Sequence, residues 1–123
     1  ECLTQDLSAV TGACLFSRRS IYEEVGYMDE ENFAVAFNDV DFCLKIRQKG
    51  YLIVYNPYVE FMHYESKTRG YEDTPEKKER FERESNNFRT KWRKVLDAGD
   101  PYSNINFDKN TAQYNVRTDK IEN

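Results

Sequence analysis

Asp39 and Asp41 are the side chains in this sequence best suited to chemistry, because they stand two residues apart at the start of a helical pattern. Carboxylates at such a place can cap the helix and oppose its dipole, bind a divalent metal ion, or accept a proton from a substrate. Residues i and i+2 in a helical first turn point about 200° apart, so this pair is poorly arranged to share one ion. Capping and proton transfer are the stronger interpretations.

The helix that carries the two aspartates separates their roles. The pattern predicts a helix over residues 38–49, with Asn38 as its N-cap and Gly50 directly after its end. In steps of about 100° around the axis, the apolar residues sweep one broad side; Asp39 lies in the middle of that side and Asp41 on the opposite, polar side. We therefore expect Asp41 to face water and cap the helix. Asp39 loses hydration, so it is either paired or held for a function.

His63 and Arg69 are the other polar candidates. His63 ends a strand in the extended segment, just before a loop rich in polar and basic residues. It is either a hydrogen-bonded residue without a special role or a ligand for a metal ion or a phosphate. Arg69, beside Gly70, could reach an anionic ligand, although most arginines are simply solvated.

The three cysteines are Cys2, Cys14 and Cys43, an odd and widely spaced set that makes a poor disulfide framework. The apolar surroundings of Cys14 and Cys43 predict buried, inert thiols, which suits a reducing compartment. A single histidine and no close cysteine pair argue against a structural zinc site.

Composition bounds the class of protein. The chain has 123 residues, 33% of them charged, with a net charge of −4, which argues against a general nucleic-acid or membrane-surface binder. Aromatic residues make up 15%, too many for a disordered chain. The sequence begins at Glu1 rather than at a methionine, so we expect it to be a piece of a longer protein.

The order of predicted elements indicates a mixed α/β unit with too few strands for a complete doubly wound domain. The elements are a buried strand over 8–17, a short helix over 18–25 followed by Gly26, the helix over 38–49, a strand over 51–57, an extended segment over 58–66, and a long helix capped by Thr74 with Pro75 in its first turn. The apolar stripe of the long helix comprises Phe81, Phe88, Trp92, Val95 and Leu96. A polar tail follows Gly99.

Four stretches, in this order and spacing, resemble the C-terminal half of bacterial family-2 glycosyltransferases. They are "TGACLFSRRSIYEEVGYMDE", "FNDVDFCLKIRQKGYLIVYNP", "HYESKTRG" and "FRTKWRKVLDAGDPYSN", within residues 10–106. The resemblance implies an inverting enzyme of the GT-A fold, of the kind that assembles surface polysaccharides. Residues 1–98 would then be the acceptor-side half of the domain, with mixed strands and a long C-terminal helix, and residues 99–123 an extended polar tail.

The resemblance also implies a role for Asp39. The family has an acidic pair at the start of this helix, often Glu-Asp, and its Asp is the catalytic base. Here the pair is Asn38-Asp39, so Asp39 matches the base while Asn38 replaces the Glu. A base at this place removes the proton of the acceptor hydroxyl as the nucleotide diphosphate leaves, typically for about 10²–10⁴ in rate.

Three further sites are implied by the same resemblance. His63 matches a strand-end histidine that helps to bind the metal ion or the diphosphate. Thr11 and Gly12 match a segment that lines the cleft between donor and acceptor, and Arg69 and Gly70 match a loop near the phosphates.

The intact enzyme would use a divalent ion, Mg²⁺ or Mn²⁺, a nucleotide-sugar donor and a carbohydrate acceptor, and no nucleic acid. We expect it in the bacterial cytoplasm, at the inner face of the membrane if the parent associates peripherally. The family's nucleotide-binding half, with its own D-x-D, is absent from this chain, so the chain alone should not turn over. The rival interpretation is a non-catalytic scaffolding or self-association module of the same fold, in which case a homo-oligomer is expected. A carbohydrate-binding surface of tyrosines has weaker support.

Overall fold

A computed structural model describes residues 3–62, 74–104, 106–108 and 115–116 of the chain. This part of the chain is a mixed α/β structure, which confirms the coarse class predicted from the sequence. Its strands are β1, Gln5–Leu7, and β2, Ile53–Tyr55; its helices are α1, Arg19–Glu24, α2, Asn38–Gln48, α3, Pro75–Lys91, and α4, Arg93–Ala98, with a 3₁₀ turn over Gly12–Cys14.

The two strands form an antiparallel pair in which Leu7 lies opposite Ile53. The strand predicted over 8–17 is wrong, because that stretch holds the 3₁₀ turn and otherwise irregular backbone. At the start of the turn the Thr11 side chain accepts a hydrogen bond from the Ala13 amide. Such a local side-chain bond offers the backbone an alternative to strand pairing.

Several other predicted elements are present. The helices α1 and α2 are confirmed, and α2 ends one residue earlier than expected. Gly26 follows α1 with φ 79°, a left-handed conformation that glycine adopts without steric penalty. β2 confirms the centre of the strand predicted over 51–57. The extended segment predicted over 58–66 is described only to residue 62, and that part contains no strand.

α2 lies at the centre of the described structure, between two apolar clusters. The first cluster packs α2 against α3 and α4 and is built on Phe33, Leu44, Phe88 and Trp92. The second packs the other side of α2 against α1, β2 and the segment after β1, and is built on Phe42, Cys43, Ile46 and Ile53. The broad apolar side expected for α2 is confirmed, and the two clusters divide it between them, because different elements cover its two halves.

α3 begins as predicted, with the Thr74 side chain as its N-cap and Pro75 as its first residue. The long helix is interrupted at Trp92 and continues as α4. The middle of the predicted apolar stripe is buried and its ends are not: Phe88 and Trp92 are buried, whereas Phe81 and Leu96 are about half exposed. Within the described residues, no helix combines the length and the apolar character needed to cross a membrane.

The first residues of the predicted tail contact the body of the chain. Ser8 Oγ donates a hydrogen bond to Asp100 Oδ1 at 2.7 Å, and the Arg47 guanidinium lies 5.2 Å from the centroid of the Tyr102 ring. Most of the tail beyond these contacts lies outside the described residues.

Candidate functional site

Asp39 lies in the first turn of α2 and is half-buried. Its Oδ2 accepts a hydrogen bond from the Gly12 amide at 2.7 Å, and its Oδ1 accepts one from the Val40 amide at 2.8 Å. The first of these bonds joins α2 to the 3₁₀ turn, 27 residues away in sequence. The carboxylate is therefore fixed in direction by backbone groups on two different elements.

The contact between Gly12 and Asp39 is closer than a larger residue would allow. A Cβ atom built on Gly12 would lie 3.2 Å from Asp39 Cβ and 3.5 Å from Asp39 Oδ2. Such spacing is tighter than ordinary packing, so the absence of a side chain at Gly12 is what lets the turn approach the carboxylate. The chain thus brings Gly12 and the neighbouring Thr11 to Asp39, three of the residues singled out from the sequence.

The remaining predicted site residues, His63, Arg69 and Gly70, lie outside the described residues. Among the residues that are described, no group of three or more histidine, cysteine, aspartate or glutamate side chains is placed to hold a metal ion. The metal and phosphate roles of these three residues therefore stay predictions from the sequence.

An open groove of about 960 Å³ lies beside the turn that holds Asp39. Its walls come from residues 7–18 on one side and 51–62 on the other, and they include Thr11 and Ala13, the neighbours of Gly12. Several large apolar side chains along it are exposed, among them Phe16, Phe61 and Met62 at 82%, 65% and 78%. Exposed apolar residues that lie together in this way are a feature of interaction surfaces in general.

Asp41 does not face water, contrary to the expectation from the helical pattern. Its side chain is 0% exposed. Trp92 Nε1 donates a hydrogen bond to Asp41 Oδ1 at 2.7 Å, and Lys91 Nζ lies 2.8 Å from the same oxygen. On the helix, Asp41 adjoins the side that packs against α3, so the end of α3 covers it.

The two aspartates of α2 thus contact different parts of the chain: Asp39 meets the 3₁₀ turn, and Asp41 meets the junction of α3 and α4. A buried carboxylate is tolerated when it is paired and hydrogen-bonded, which describes Asp41. Sequence reasoning missed these contacts, because the residues near Asp41 in sequence do not indicate that Lys91 and Trp92, about fifty residues later, pack against it.

Lys91 also joins Asp29 to this cluster, with 2.9 Å between Lys91 Nζ and Asp29 Oδ2. Burial of the ammonium group lowers the pKa of Lys91, but its hydrogen bonds and ion pairs with Asp41 and Asp29 raise it by more, and the net shift is upward. Burial raises the pKa of Asp29, but hydrogen bonds from Lys91 and Asn32 outweigh it, and the net shift is downward. Both shifts favour the charged pair.

Glu84 is a second buried acid that the sequence analysis missed, at 1% exposure. Its Oε2 accepts hydrogen bonds from the Ala36 amide at 2.6 Å and the Val35 amide at 3.3 Å, in the segment that leads into α2. A signal was present in the sequence, because Glu84 stands three residues after Phe81 and four before Phe88 and so shares their side of α3.

Phe37, rather than the predicted Asn38, occupies the N-cap position of α2, and no side chain caps the helix there. Phe37 has φ 64°, a left-handed conformation that costs a non-glycine residue roughly 1–2 kcal/mol. Its ring stacks on Phe88, with 5.1 Å between centroids, and also meets Phe81 at 5.5 Å. These contacts with α3 hold the unfavourable backbone in place.

Of the cysteines that the structure describes, Cys43 is buried as predicted and Cys14 is exposed, so that expectation is wrong for Cys14. Cys14 ends the 3₁₀ turn on the wall of the groove, and its exposure follows from the failure of the predicted strand. Burial raises the pKa of the Cys43 thiol, and the charge of Asp39 adds to this rise. A hydrogen bond to the Val10 carbonyl lowers the pKa, but the net shift is upward.

Comparison with known proteins relates this chain to glycosyltransferases. It is 48% identical over 104 residues to the uncharacterized protein y4gI of Sinorhizobium fredii, a match that covers 85% of this chain. It is 33% identical over 73 residues, 59% of the chain, to the O-antigen biosynthesis protein RfbC of Myxococcus xanthus. It is 36% identical over 61 residues, 50% of the chain, to an N-acetylglucosaminyl-diphospho-decaprenol L-rhamnosyltransferase of Mycobacterium tuberculosis.

The matched part is a small share of each of these proteins: 11% of y4gI, 6% of RfbC and 20% of the rhamnosyltransferase. No protein-family model and no solved structure matches the chain. The names of the partial relatives support a glycosyltransferase-like relationship for this part of the protein.

Proposed function

We propose that this chain is the acceptor-side part of a family-2 inverting glycosyltransferase of the GT-A fold, and that Asp39 is its general base. In the proposed reaction an acceptor hydroxyl oxygen bonds to the anomeric carbon of a nucleotide sugar. The bond from that carbon to the diphosphate breaks, and the nucleoside diphosphate leaves with the electron pair. The hydroxyl proton passes to Asp39.

The observation that carries this proposal is the hydrogen bond between Asp39 Oδ2 and the Gly12 amide, beside the groove. A base must be held in one direction and must still have a free site for the proton. Each carboxylate oxygen can accept two hydrogen bonds, so Asp39 retains acceptor capacity beyond its two amide partners. Half-burial leaves it reachable while limiting the water around it.

The names of two partial relatives agree with an acceptor that carries sugar hydroxyls. One is an O-antigen biosynthesis protein, and the name of the other describes a sugar on a diphospho-decaprenol acceptor. We infer that the parent of this chain acts in bacterial surface polysaccharide assembly, on the cytoplasmic side of the membrane. The donor nucleotide and a divalent ion would bind mainly to the rest of the parent, with help from His63, Arg69 and Gly70.

The test uses the full-length parent with a nucleotide sugar and an acceptor. Asp39→Asn keeps the size of the side chain and removes its basicity, so we expect kcat to fall by about 10²–10⁴. Asp97→Asn is the matched control, because Asp97 is an exposed acid of α4. Transfer at a near-normal rate by Asp39→Asn would rule out Asp39 as the base.

A second candidate is a non-catalytic self-association module, favoured by the exposure of Phe16, Phe61 and Met62 along the groove. If that is the function, the groove of one copy covers that of another. Sedimentation of the chain over a range of concentrations would then show a dimer, which Phe16→Ser weakens. A chain that stays monomeric at high concentration would contradict this candidate.

A further inference from the structure

α3 contacts the start of α2 on both sides of Asp39, once before it in sequence and once after it. We infer that Glu84 and Asp41 are positioning residues that aim Asp39: Glu84 holds the segment entering α2, and Asp41, held by Lys91 and Trp92, fixes the helix itself. This inference rests on the function proposed for Asp39. It assigns to α3 a part in catalysis although no residue of α3 contacts Asp39 in the described structure.

The first contact precedes α2. The amides of Val35 and Ala36 belong to an irregular segment, and backbone amides in such a place need acceptors. Both donate to one oxygen of the buried Glu84, so a single side chain of α3 satisfies two backbone groups of this segment. Ala36 stands three residues before Asp39, so Glu84 fixes the position from which the helix starts.

The second step is the turn of the backbone between that segment and the helix. Phe37 is left-handed, and this single residue redirects the chain from the segment held by Glu84 into α2. The carbonyl of Phe37 accepts the Asp41 amide at 2.8 Å, which closes the first helical turn around Asp39. A change at Phe37 would therefore re-aim the whole first turn.

The third contact follows Asp39. Asp41 shares its helical turn and receives Trp92 Nε1 and Lys91 Nζ on one oxygen, which restrains rotation of α2 about its axis. Side-chain atoms lie roughly 5–6 Å from a helix axis, so a rotation of about 10° would move the Asp39 carboxylate by roughly 1 Å. Misplacement of a catalytic group by about 1 Å can cost about 10²-fold in rate.

A purely structural role for these residues would change stability without acting through Asp39, and a double-mutant cycle separates the two cases. In the full-length parent we would measure kcat and KM for Glu84→Gln and Trp92→Phe, each alone and combined with Asp39→Asn. Glu84→Gln keeps the size of the side chain, whereas Trp92→Phe removes the indole N–H together with part of a buried ring, so circular dichroism and a thermal melt must show that both variants fold. Glu82→Gln, an exposed glutamate on the same helix, is the control.

We expect each substitution to lower kcat by about 10- to 100-fold with little change in KM. In the Asp39→Asn background the same substitution should lower kcat by less than about threefold, because the group being aimed is already gone. Equal losses in the two backgrounds, or an unchanged kcat in a folded single variant, would overturn the inference. Normal transfer by Asp39→Asn alone would instead refute the proposed function, so the two failures are distinguishable.

Discussion

The two aspartates in the first turn of α2 differ in how completely they are covered. On the side facing α3, Asp41 and Glu84 are buried and both find hydrogen-bond donors within the chain. Asp39 is half-buried beside the 3₁₀ turn, and apolar residues of the groove that this turn lines, such as Phe16, are exposed. The two aspartates of the same helical turn therefore lie in opposite environments.

This difference separates a structural acid from a candidate functional one. Asp41 is buried, with Lys91 and the Trp92 indole on one of its oxygens, so no substrate can reach it. Its removal should lower the stability of the fold. A half-buried carboxylate, hydrogen-bonded to a turn whose Thr11 and Ala13 line a groove, can serve a ligand at little cost to the fold.

The largest expected effect is on stability at Asp41. We expect Asp41→Ala to lower the free energy of unfolding of the chain by about 3–5 kcal/mol, because it empties a buried site, leaves Trp92 Nε1 without an acceptor and leaves Lys91 with Asp29 alone. Asp39→Ala removes the hydrogen bonds from two backbone amides at a half-buried site. We expect it to lower the free energy of unfolding by about 1 kcal/mol. Urea denaturation of both variants gives the comparison. Equal losses of stability in the two variants would mean that Asp39 and Asp41 do not differ in their structural role.

The elements around this contrast were predictable where the signal is local. The Thr74 cap with Pro75 behind it fixed the start of α3, and helical spacing fixed α1 and α2. The run over 8–17 misled because small and apolar residues suggest a strand, whereas the Thr11 hydroxyl and the close approach of Gly12 to Asp39 favour a turn.

The burial of the acids was harder to predict because it depends on distant packing. From the helical pattern Asp41 is expected in water because it lies off the apolar side of α2, and the docking of Lys91 and Trp92 is what covers it. Glu84 was within reach of sequence reasoning, because it interrupts an apolar stripe. Its partners could not be named, since they are backbone amides of an irregular segment.

An intermediate effect is expected at Gly12. Gly12→Ala places a Cβ 3.2 Å from that of Asp39, so the turn or the carboxylate must shift. We expect the chain to lose about 1 kcal/mol of stability, at the low end of overpacking, and the parent to lose more than tenfold in kcat because Asp39 is re-aimed. Denaturation and a transfer assay measure the two effects separately.

Gly50→Ala is the matched control for Gly12→Ala. A Cβ at Gly50 meets nothing within 4 Å, but φ there is 86°, so alanine is strained and should cost about 1 kcal/mol as well. Because Gly50 follows the far end of α2, kcat should not change. If both variants lose the same activity, the effect of Gly12→Ala reflects stability rather than the aim of Asp39.

The smallest expected effect is the pH dependence contributed by Lys91 and Asp29. The pKa of Asp29 is lowered from its ordinary value of 3.8, so its contribution to stability is present above that value and is lost as the pH falls through the lowered one. The pKa of Lys91 is raised from 10.5, so its contribution is present below that value and is lost as the pH rises through the raised one. Both groups are partly exposed, so solvent limits the effect to about 0.2–1 kcal/mol.

Asp29→Asn should therefore make the urea midpoint fall less steeply as the pH is lowered. At neutral pH the variant should be less stable than the original chain by about 0.2–1 kcal/mol. Asp6→Asn, at an exposed acid of β1, corrects for the general loss of charge. If the urea midpoint of Asp29→Asn falls as steeply at low pH as that of the original chain, Lys91 stabilises the fold through Asp41 and not through Asp29. Asp29 would then contribute nothing to the burial of Asp41, and the contrast between the two aspartates of α2 would rest on the ion pairs of Asp41 with Lys91 at 2.8 Å and with Lys45 at 3.8 Å.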